Sequence, residues 1–248
     1  MFKIKKFMSF AKRRRAQAGR VKAEAVMTEP PTDFWESFLL FITRFCTWLF
    51  VGKVKLVGVE NLARCRLSSD SLIVAPNHSS LYDVAVLPPI LKNWKARYMA
   101  DQGVMGSFAG LAGLLLSRMG VFTADRHLAV EVLLSGQTLV MWPEGFTYLD
   151  GQMGRFRKGL ARIAHAASIE RKQPVYVLPV YMRYGKYPGS WIKKLPIRLQ
   201  YAFLLLAFPY FRRGVKVVIG EAISSNDLPQ DPDDANEFLR SELLKLSV

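Results

Sequence analysis

An α/β fold with a mixed, mostly parallel central sheet flanked by helices is what this sequence predicts, on three observations. From residue 53 onward, short apolar runs rich in Val, Ile and Tyr alternate with longer stretches of helical periodicity. Half of the 248 residues are hydrophobic, enough for one packed domain. No internal repeat and no low-complexity tract beyond the N-terminal basic arm interrupts this pattern. Taken in order, Val54 to Val59, Ser71 to Ala75, Ala96 to Ala100, Gly120 to Thr123, Thr138 to Trp142, Val175 to Met182 and Val215 to Ile219 read as strands. Pro179 inside the sixth run predicts an edge position or a bulge there, because proline has no N–H to give a ladder. Helices are predicted over Ser80 to Leu87, Val104 to Leu116, Arg126 to Leu134 and Lys158 to Ile169, with a last one starting near Asp233 or Asp234. Pro88 and Pro89 are expected to stop the first of these.

The chain divides at about residue 52. Residues 1–52 hold a basic arm and an amphipathic helix, and residues 53–248 hold the α/β body. The arm carries nine Lys and Arg before its first acidic residue, Glu24, and the whole chain has a formal charge of +15. Such an excess attracts polyanions: an anionic membrane surface, a phosphorylated substrate or a nucleic acid. No secretory cleavage pattern follows the arm. After Pro30 and Pro31, residues Phe34, Phe38, Phe41, Phe45, Trp48 and Leu49 recur at helical spacing, with Glu36, Thr43, Arg44 and Thr47 on the other side. Two charges in a run of sixteen residues speak against a spanning helix and for one lying in the membrane interface. The expectation is a chain associated with a membrane on its cytoplasmic side. A nucleic-acid-binding protein is the alternative. The arm lacks interleaved aromatics and the body shows no nucleic-acid-binding motif, so no nucleic acid is expected. A second apolar run, Tyr201 to Phe211, is too short to span and predicts a buried element or a membrane-facing patch. Two cysteines, Cys46 and Cys65, make no disulfide framework, and three histidines offer no multi-histidine metal site.

The stretch Ala75-Pro76-Asn77-His78-Ser79-Ser80-Leu81-Tyr82-Asp83 follows a strand and opens a helix, where α/β proteins place their chemistry. His78 and Asp83 would point about 140° apart in one regular helix. They meet only if His78 lies in the preceding turn and Asp83 in the first turn. Ser80 is a candidate N-cap, and Asp83 stands at the acidic position of a capping box, so Asp83 also has a purely structural reading. An imidazole oriented by a carboxylate is a general base. No Gly-x-Ser-x-Gly elbow accompanies it, which points to deprotonation of an incoming hydroxyl rather than of a protein nucleophile.

Asn77-His78-x4-Asp83 resembles the first signature of the glycerolipid acyltransferases, the group that includes the 1-acylglycerol-3-phosphate acyltransferases. Gly120-Val121-Phe122-Thr123-Ala124-Asp125-Arg126 resembles the family's second block, Trp142-Pro143-Glu144-Gly145 its third and Val177-Leu178-Pro179-Val180 its fourth. Phe156-Arg157-Lys158-Gly159 resembles the Phe-Lys-x-Gly between the last two. The resemblance implies transfer of an acyl group from acyl-CoA or acyl carrier protein, a substrate and not a resident cofactor, to a lysolipid acceptor. It implies His78 and Asp83 as the catalytic pair, and Asn77, Arg126, Glu144, Gly145 and Lys158 at the substrate. Arg126 would take the acceptor's phosphate, and a backbone N–H at Gly145 would face the developing oxyanion. One departure stands out: Phe146-Thr147 replaces the Thr-Arg that usually follows Glu-Gly. Arg155, Arg157 or Lys158 is then the replacement cation, or the acceptor is another lysolipid or alcohol.

Overall fold

The computed structural model describes residues 31–67, 71–105, 111–148, 150–207, 210 and 213–247. The basic arm lies outside them. Helix α1 (Asp33–Cys46) runs on through a π-helical turn (Thr47–Val51). It is followed by β1 (Val54–Val57), α2 (Val59–Leu67), β2 (Ser71–Pro76), α3 (Asp83–Ile90), β3 (Ala96–Ala100), α4 (Gln102–Met105), α5 (Leu111–Arg118) and β4 (Val121–Thr123). Then come α6 (Arg126–Leu134), β5 (Thr138–Val140), α7 (Gly159–Arg171), β6 (Val175–Tyr184), a 3-10 turn (Ser190–Lys194), α8 (Ile197–Leu206), β7 (Val215–Ile219), β8 (Ile223–Ser224) and α9 (Pro232–Lys245). The strands form one sheet in the order β1-β7-β6-β2-β5-β3-β4, with β8 on the flank of β6. β6, β2, β5, β3 and β4 are parallel; β7 is antiparallel to β6, and β1 runs with β7.

Two apolar layers cover the sheet, and the central strands feed both. Ile73 and Leu139 face α6, α7 and α9. Leu72, Val74 and Val140 face α3 and the π turn. This two-sided burial is why β2 reads as an unbroken apolar run; all six of its residues are buried. It also fixes the site. β2 and β5 are neighbours, yet the chain leaves β2 into α3 on one face and leaves β5 toward α7 on the other. A crevice opens between their carboxyl ends, where diverging connections leave room for a ligand.

Several boundaries differ from the sequence reading, each for a physical reason. Pro88 and Pro89 lie inside α3, which continues to Ile90. Pro89 cannot donate to the carbonyl of Ala85, and the Thr47 hydroxyl does so instead at 3.0 Å. That bond from the π turn removes the usual cost of an orphaned carbonyl. Pro179 is not on an edge: β6 sits between β2 and β7. It falls where the flank of β6 changes from β8, which pairs with Tyr176 and Val177, to β7, which begins at Val180. No ladder N–H is needed at that break. Residues 58–67 are not a strand extension but hold α2, whose charged composition hides its helical character. The helix predicted over Val104 to Leu116 falls partly on residues outside those described; α4 and α5 flank them. The last helix starts at Pro232, with the Asp231 carboxylate accepting from the N–H groups of Asp233 and Asp234.

Helix α1 and its π turn together make 19 residues, long and apolar enough to cross a membrane by length and composition, and 22% buried. Thr43, Thr47 and Val51 face the protein. Phe34, Phe41, Phe45 and Trp48 face outward, each about half exposed or more. Leu39 and Phe50 pack on the protein beside the threonines, and the four outward aromatics are left as an uncovered face.

Candidate active site

His78 stands in the turn after β2, and Asp83 opens α3. His78 Nδ1 and Asp83 Oδ2 are 2.9 Å apart. The pairing works because the chain turns between them: the Ser80 N–H donates to Asp83 Oδ2 at 3.0 Å, and the Tyr82 N–H donates to Ser80 Oγ at 3.2 Å. So Asp83 holds the turn and the histidine with the same oxygen, while the N-cap position falls to Tyr82 and not to Ser80, because residues 80–82 turn before the helix begins at Asp83. Its other oxygen accepts from the Tyr184 hydroxyl at 2.7 Å. Burial, reinforced by the Asp83 charge, holds the Tyr184 phenol well above its ordinary range, so it is a permanent donor. Asp83 is wholly buried, and the His78 side chain is 16% exposed. A buried carboxylate with three donors fixes a proton on Nδ1 and leaves Nε2 as an acceptor facing the crevice. At 2.8 Å from Nε2 stands the hydroxyl of Thr147.

The imidazole is held from every side. The His78 N–H donates to Glu144 Oε1 at 2.7 Å, its carbonyl accepts from the Tyr148 N–H at 2.8 Å, and its ring lies 5.3 Å from that of Trp142. Glu144 therefore has a different place from the one expected. It is 3% exposed, and its second oxygen accepts from the Gly154 N–H at 2.6 Å. It braces His78 against the 153–154 loop. Burial pushes its carboxyl above the usual range, against the pull of those two N–H donors. Arg240 of α9 closes the brace by donating to the Gly154 carbonyl at 2.9 Å.

Asn77 is likewise not available to a substrate. It is 1% exposed and exchanges two hydrogen bonds with the Met182 backbone, at 3.1 and 2.6 Å. The end of β2 is thereby pinned to β6, and His78 beside it. Gly145 has φ +62°, which only glycine adopts without strain, and a Cβ there would lie 2.6 Å from the Arg157 side chain. Its N–H is spent on the Trp142 carbonyl at 3.0 Å, so it is not free for an oxyanion. Lys158 pairs with Asp233 on α9 at 2.6 Å, both half-exposed, on the rim of an open groove of about 490 Å³. Glu144, Phe146, Tyr148, Arg155, Phe156 and Arg157 line the rest of it. Arg126 is exposed at the start of α6 and has no hydrogen bond or ion pair among the described residues. The helix N-terminus beneath it is already capped: Asp125 accepts from the N–H groups of His127 and Leu128. Anion binding there rests on the guanidinium alone.

The model of the family described as acyltransferase matches residues 53–183, more than half of the chain, with His78 and Asp83 inside the match. The chain belongs to the acyltransferase family. It is 28% identical over 139 residues to 1-acyl-sn-glycerol-3-phosphate acyltransferase LPAT1, chloroplastic, of Arabidopsis thaliana; that match takes in 52% of this chain and 35% of the relative, about a third of its length. Among solved structures, the fold is similar to that of PlsC, the 1-acyl-sn-glycerophosphate (LPA) acyltransferase of Thermotoga maritima. The TM-score is 0.60 at 20% identity, over 86% of this chain and 78% of the other. Placed on this acyltransferase fold, the dyad lies at the strand ends, where diverging connections open the sheet. Thr147 and Tyr184, which touch the dyad directly, were not among the residues singled out as catalytic or substrate-binding. Thr147 carried one signal, as the point where the third block departs from the family's pattern. Tyr184 carried none, lying 101 positions from its partner Asp83.

Proposed function

We propose that the chain transfers a fatty acyl group from an acyl thioester, acyl-CoA or acyl carrier protein, to the hydroxyl of 1-acylglycerol-3-phosphate, giving phosphatidate. The observation that carries this reading is Nε2 of His78, with its tautomer set by Asp83 and a hydroxyl already at 2.8 Å. An acceptor hydroxyl takes the place that the Thr147 hydroxyl now holds. Nε2 removes its proton, and the alkoxide oxygen attacks the thioester carbon. The tetrahedral intermediate collapses, the C–S bond breaks, and the thiolate leaves with the proton from the imidazolium. The names of the plant relative and of the bacterial structure support the acceptor class. The test is product analysis by mass spectrometry with a panel of lysolipids and alcohols. Lysophosphatidate is expected as the preferred acceptor; preference for an uncharged alcohol or a lysophospholipid with a large head group would overturn that choice and leave the dyad standing.

Two cations are assigned to the acceptor's phosphate. Arg126 is free, but three strand spacings, about 14 Å, separate β4 from β2. Arg157 lies over Gly145, just past β5, the neighbour of β2, and has no side-chain partner among the described residues. Arg157 is thus the nearer replacement for the arginine missing at residue 147. A charge-assisted bond to phosphate contributes about 1.5–3 kcal/mol, so Arg157→Gln is expected to raise KM for lysophosphatidate about 10- to 100-fold with little change in kcat. Initial rates over a concentration series measure this.

Thr147 is read as a stand-in for the acceptor and not as a nucleophile. Thr147→Val is expected to keep product formation within about threefold of the wild type, because it removes a competitor for Nε2 and no reacting group. Loss of activity together with an acyl adduct on Thr147 of the wild-type chain, seen by peptide mass spectrometry without acceptor, would refute this.

The membrane reading rests on the outward aromatic face of α1 following an arm of basic residues. An interfacial helix of this kind gains from buried apolar area and from attraction to anionic lipid. Lysolipid and acyl chain then arrive from the bilayer, on whose cytoplasmic side acyl thioesters are available.

A further inference from the structure

The segment between β6 and β7, residues 185–214, is much longer than the turn needed to join two antiparallel neighbours. It carries six Lys and Arg residues (Lys186, Lys193, Lys194, Arg198, Arg212 and Arg213) and no acidic residue; none occurs anywhere from 171 to 220. Its core is a small cluster of its own. Ile192 is fully buried among Leu81, Leu195, Phe203 and Ala207. Gln200 donates to the Leu195 carbonyl at 2.8 Å, and the rings of Trp191 and Phe203 meet edge to face. The opposite side of α8 is apolar and uncovered. Leu199, Ala202 and Leu206 follow at i, i+3 and i+7, on one stripe. Leu206 is 83% exposed, and Leu199, Tyr210 and Trp191 are about half exposed. The Lys186 ammonium lies 3.4 Å from the centre of the Tyr210 ring.

We propose that this insertion is a second membrane contact, whose apolar stripe enters the interface of an anionic phospholipid bilayer. The proposal rests on the membrane reading of α1 given above and adds a separate surface to it. Charge selects the occupant. A stripe of Leu with aromatics at its ends, inside a segment with six cations and no anion, complements a layer of acyl chains under negative headgroups. The stripe is also tied to the first contact. The insertion packs on Leu81, while α1 and its π turn grip the next residues: Phe50 stacks on Tyr82 at 5.3 Å, and Thr47 bonds Ala85. Both outward apolar surfaces therefore hang on residues 81–85, the stretch that holds Asp83. Docking both on one bilayer brings the dyad to the surface from which a lysolipid enters.

The test is sedimentation of the full chain with vesicles of phosphatidylcholine alone and of phosphatidylcholine mixed with phosphatidylglycerol. The variants are Leu199→Ser with Leu206→Ser, Lys194→Gln with Arg213→Gln, and Phe41→Ser with Trp48→Ser. All these residues except Arg213 are exposed or partly exposed side chains of described elements, and circular dichroism and melting curves check that each variant stays folded. The leucine pair is expected to lower partitioning into the mixed vesicles at least about tenfold, and the basic pair to lower it about fivefold per charge and to flatten its salt dependence. If the leucine pair binds as the wild type does while the α1 pair is lost to the supernatant, the second contact is overturned and the first survives. If the wild type itself stays in the supernatant, both fall. If the lipid-free wild type is a dimer and the leucine pair makes it monomeric, the stripe is a contact between copies, which also overturns the proposal.

Discussion

His78→Ala is expected to lower acyl transfer by about 10²- to 10⁴-fold at saturating substrate, the usual contribution of a positioned base. Asp83→Asn is expected to approach the same loss by another route. Asp83 now accepts at Oδ2 from both Nδ1 and the Ser80 N–H, and at Oδ1 from Tyr184. An asparagine amide has one acceptor and one donor. If its oxygen keeps Tyr184, its NH₂ faces Nδ1, and the imidazole proton moves to Nε2, where it blocks removal of the acceptor's proton. If its oxygen turns to Nδ1, the Tyr184 hydroxyl loses its acceptor in a fully buried place. The first arrangement removes the base, and the second keeps it only at the cost of that buried hydroxyl; in both, the groove and its cations remain. KM for lysophosphatidate is therefore expected to stay within about threefold in both variants, with the fall in kcat. Radiolabelled acyl thioester, with single-turnover rates, measures both parameters. Unchanged product formation in both variants would remove the dyad from the chemistry, whatever its geometry.

Much of the fold was legible because the sheet is covered twice. The runs around β2, β5 and β6 need Val, Ile and Leu on both faces, and that demand shows as continuous apolar sequence. What was not legible depends on distant partners. Pro88 and Pro89 end a helix by local rules, and only Thr47, 38 residues upstream of Ala85, lets α3 continue through them. The amphipathic pattern of α1 was plain, but not which face turns inward; Thr47 does so because α3 offers it the Ala85 carbonyl, and Thr43 because its hydroxyl is satisfied within α1 by the Leu39 carbonyl. In the site, the pairing of His78 with Asp83 follows from local turn chemistry, so five positions of sequence contained it. The supports do not. Tyr184, Gly154 and Arg240 reach the pair from β6, the 143–157 loop and α9. Asn77 and Glu144, adjacent to the motif residues, turned out to hold the backbone, because burial leaves a polar side chain no stable place except against unpaired N–H and C=O groups.

Glu144→Ala is expected to have the largest effect of any substitution outside the dyad, because it strips two partly buried donors of one acceptor. The N–H groups of His78 and Gly154 would each be left unpaired, at about 1–3 kcal/mol apiece. For a chain of this size about 1 kcal/mol corresponds to roughly 2–4 °C in Tm, so a fall on the order of 5–15 °C is expected by calorimetry. Glu144→Gln separates the two donors. Its oxygen satisfies one N–H, while its NH₂ confronts the other, so a fall of about half that size is expected. The glutamine variant also exposes the titration. Burial raises the folded-state pKa of Glu144 above its ordinary 4.5. A carboxyl raised in this way adds to stability below its unfolded value, and that part is lost as pH rises through the raised one. Glutamine does not titrate. The stability of the wild type relative to Glu144→Gln is therefore expected to decline from pH 4.5 upward and then level off above the folded pKa. A difference that grew over the same range would mean that the two N–H donors outweigh burial and hold the carboxyl ionised. In kinetics Glu144 is expected to act as a positioning residue: it fixes the backbone of His78, so the glutamine variant is expected to lose kcat and keep KM, as a tilted imidazole would.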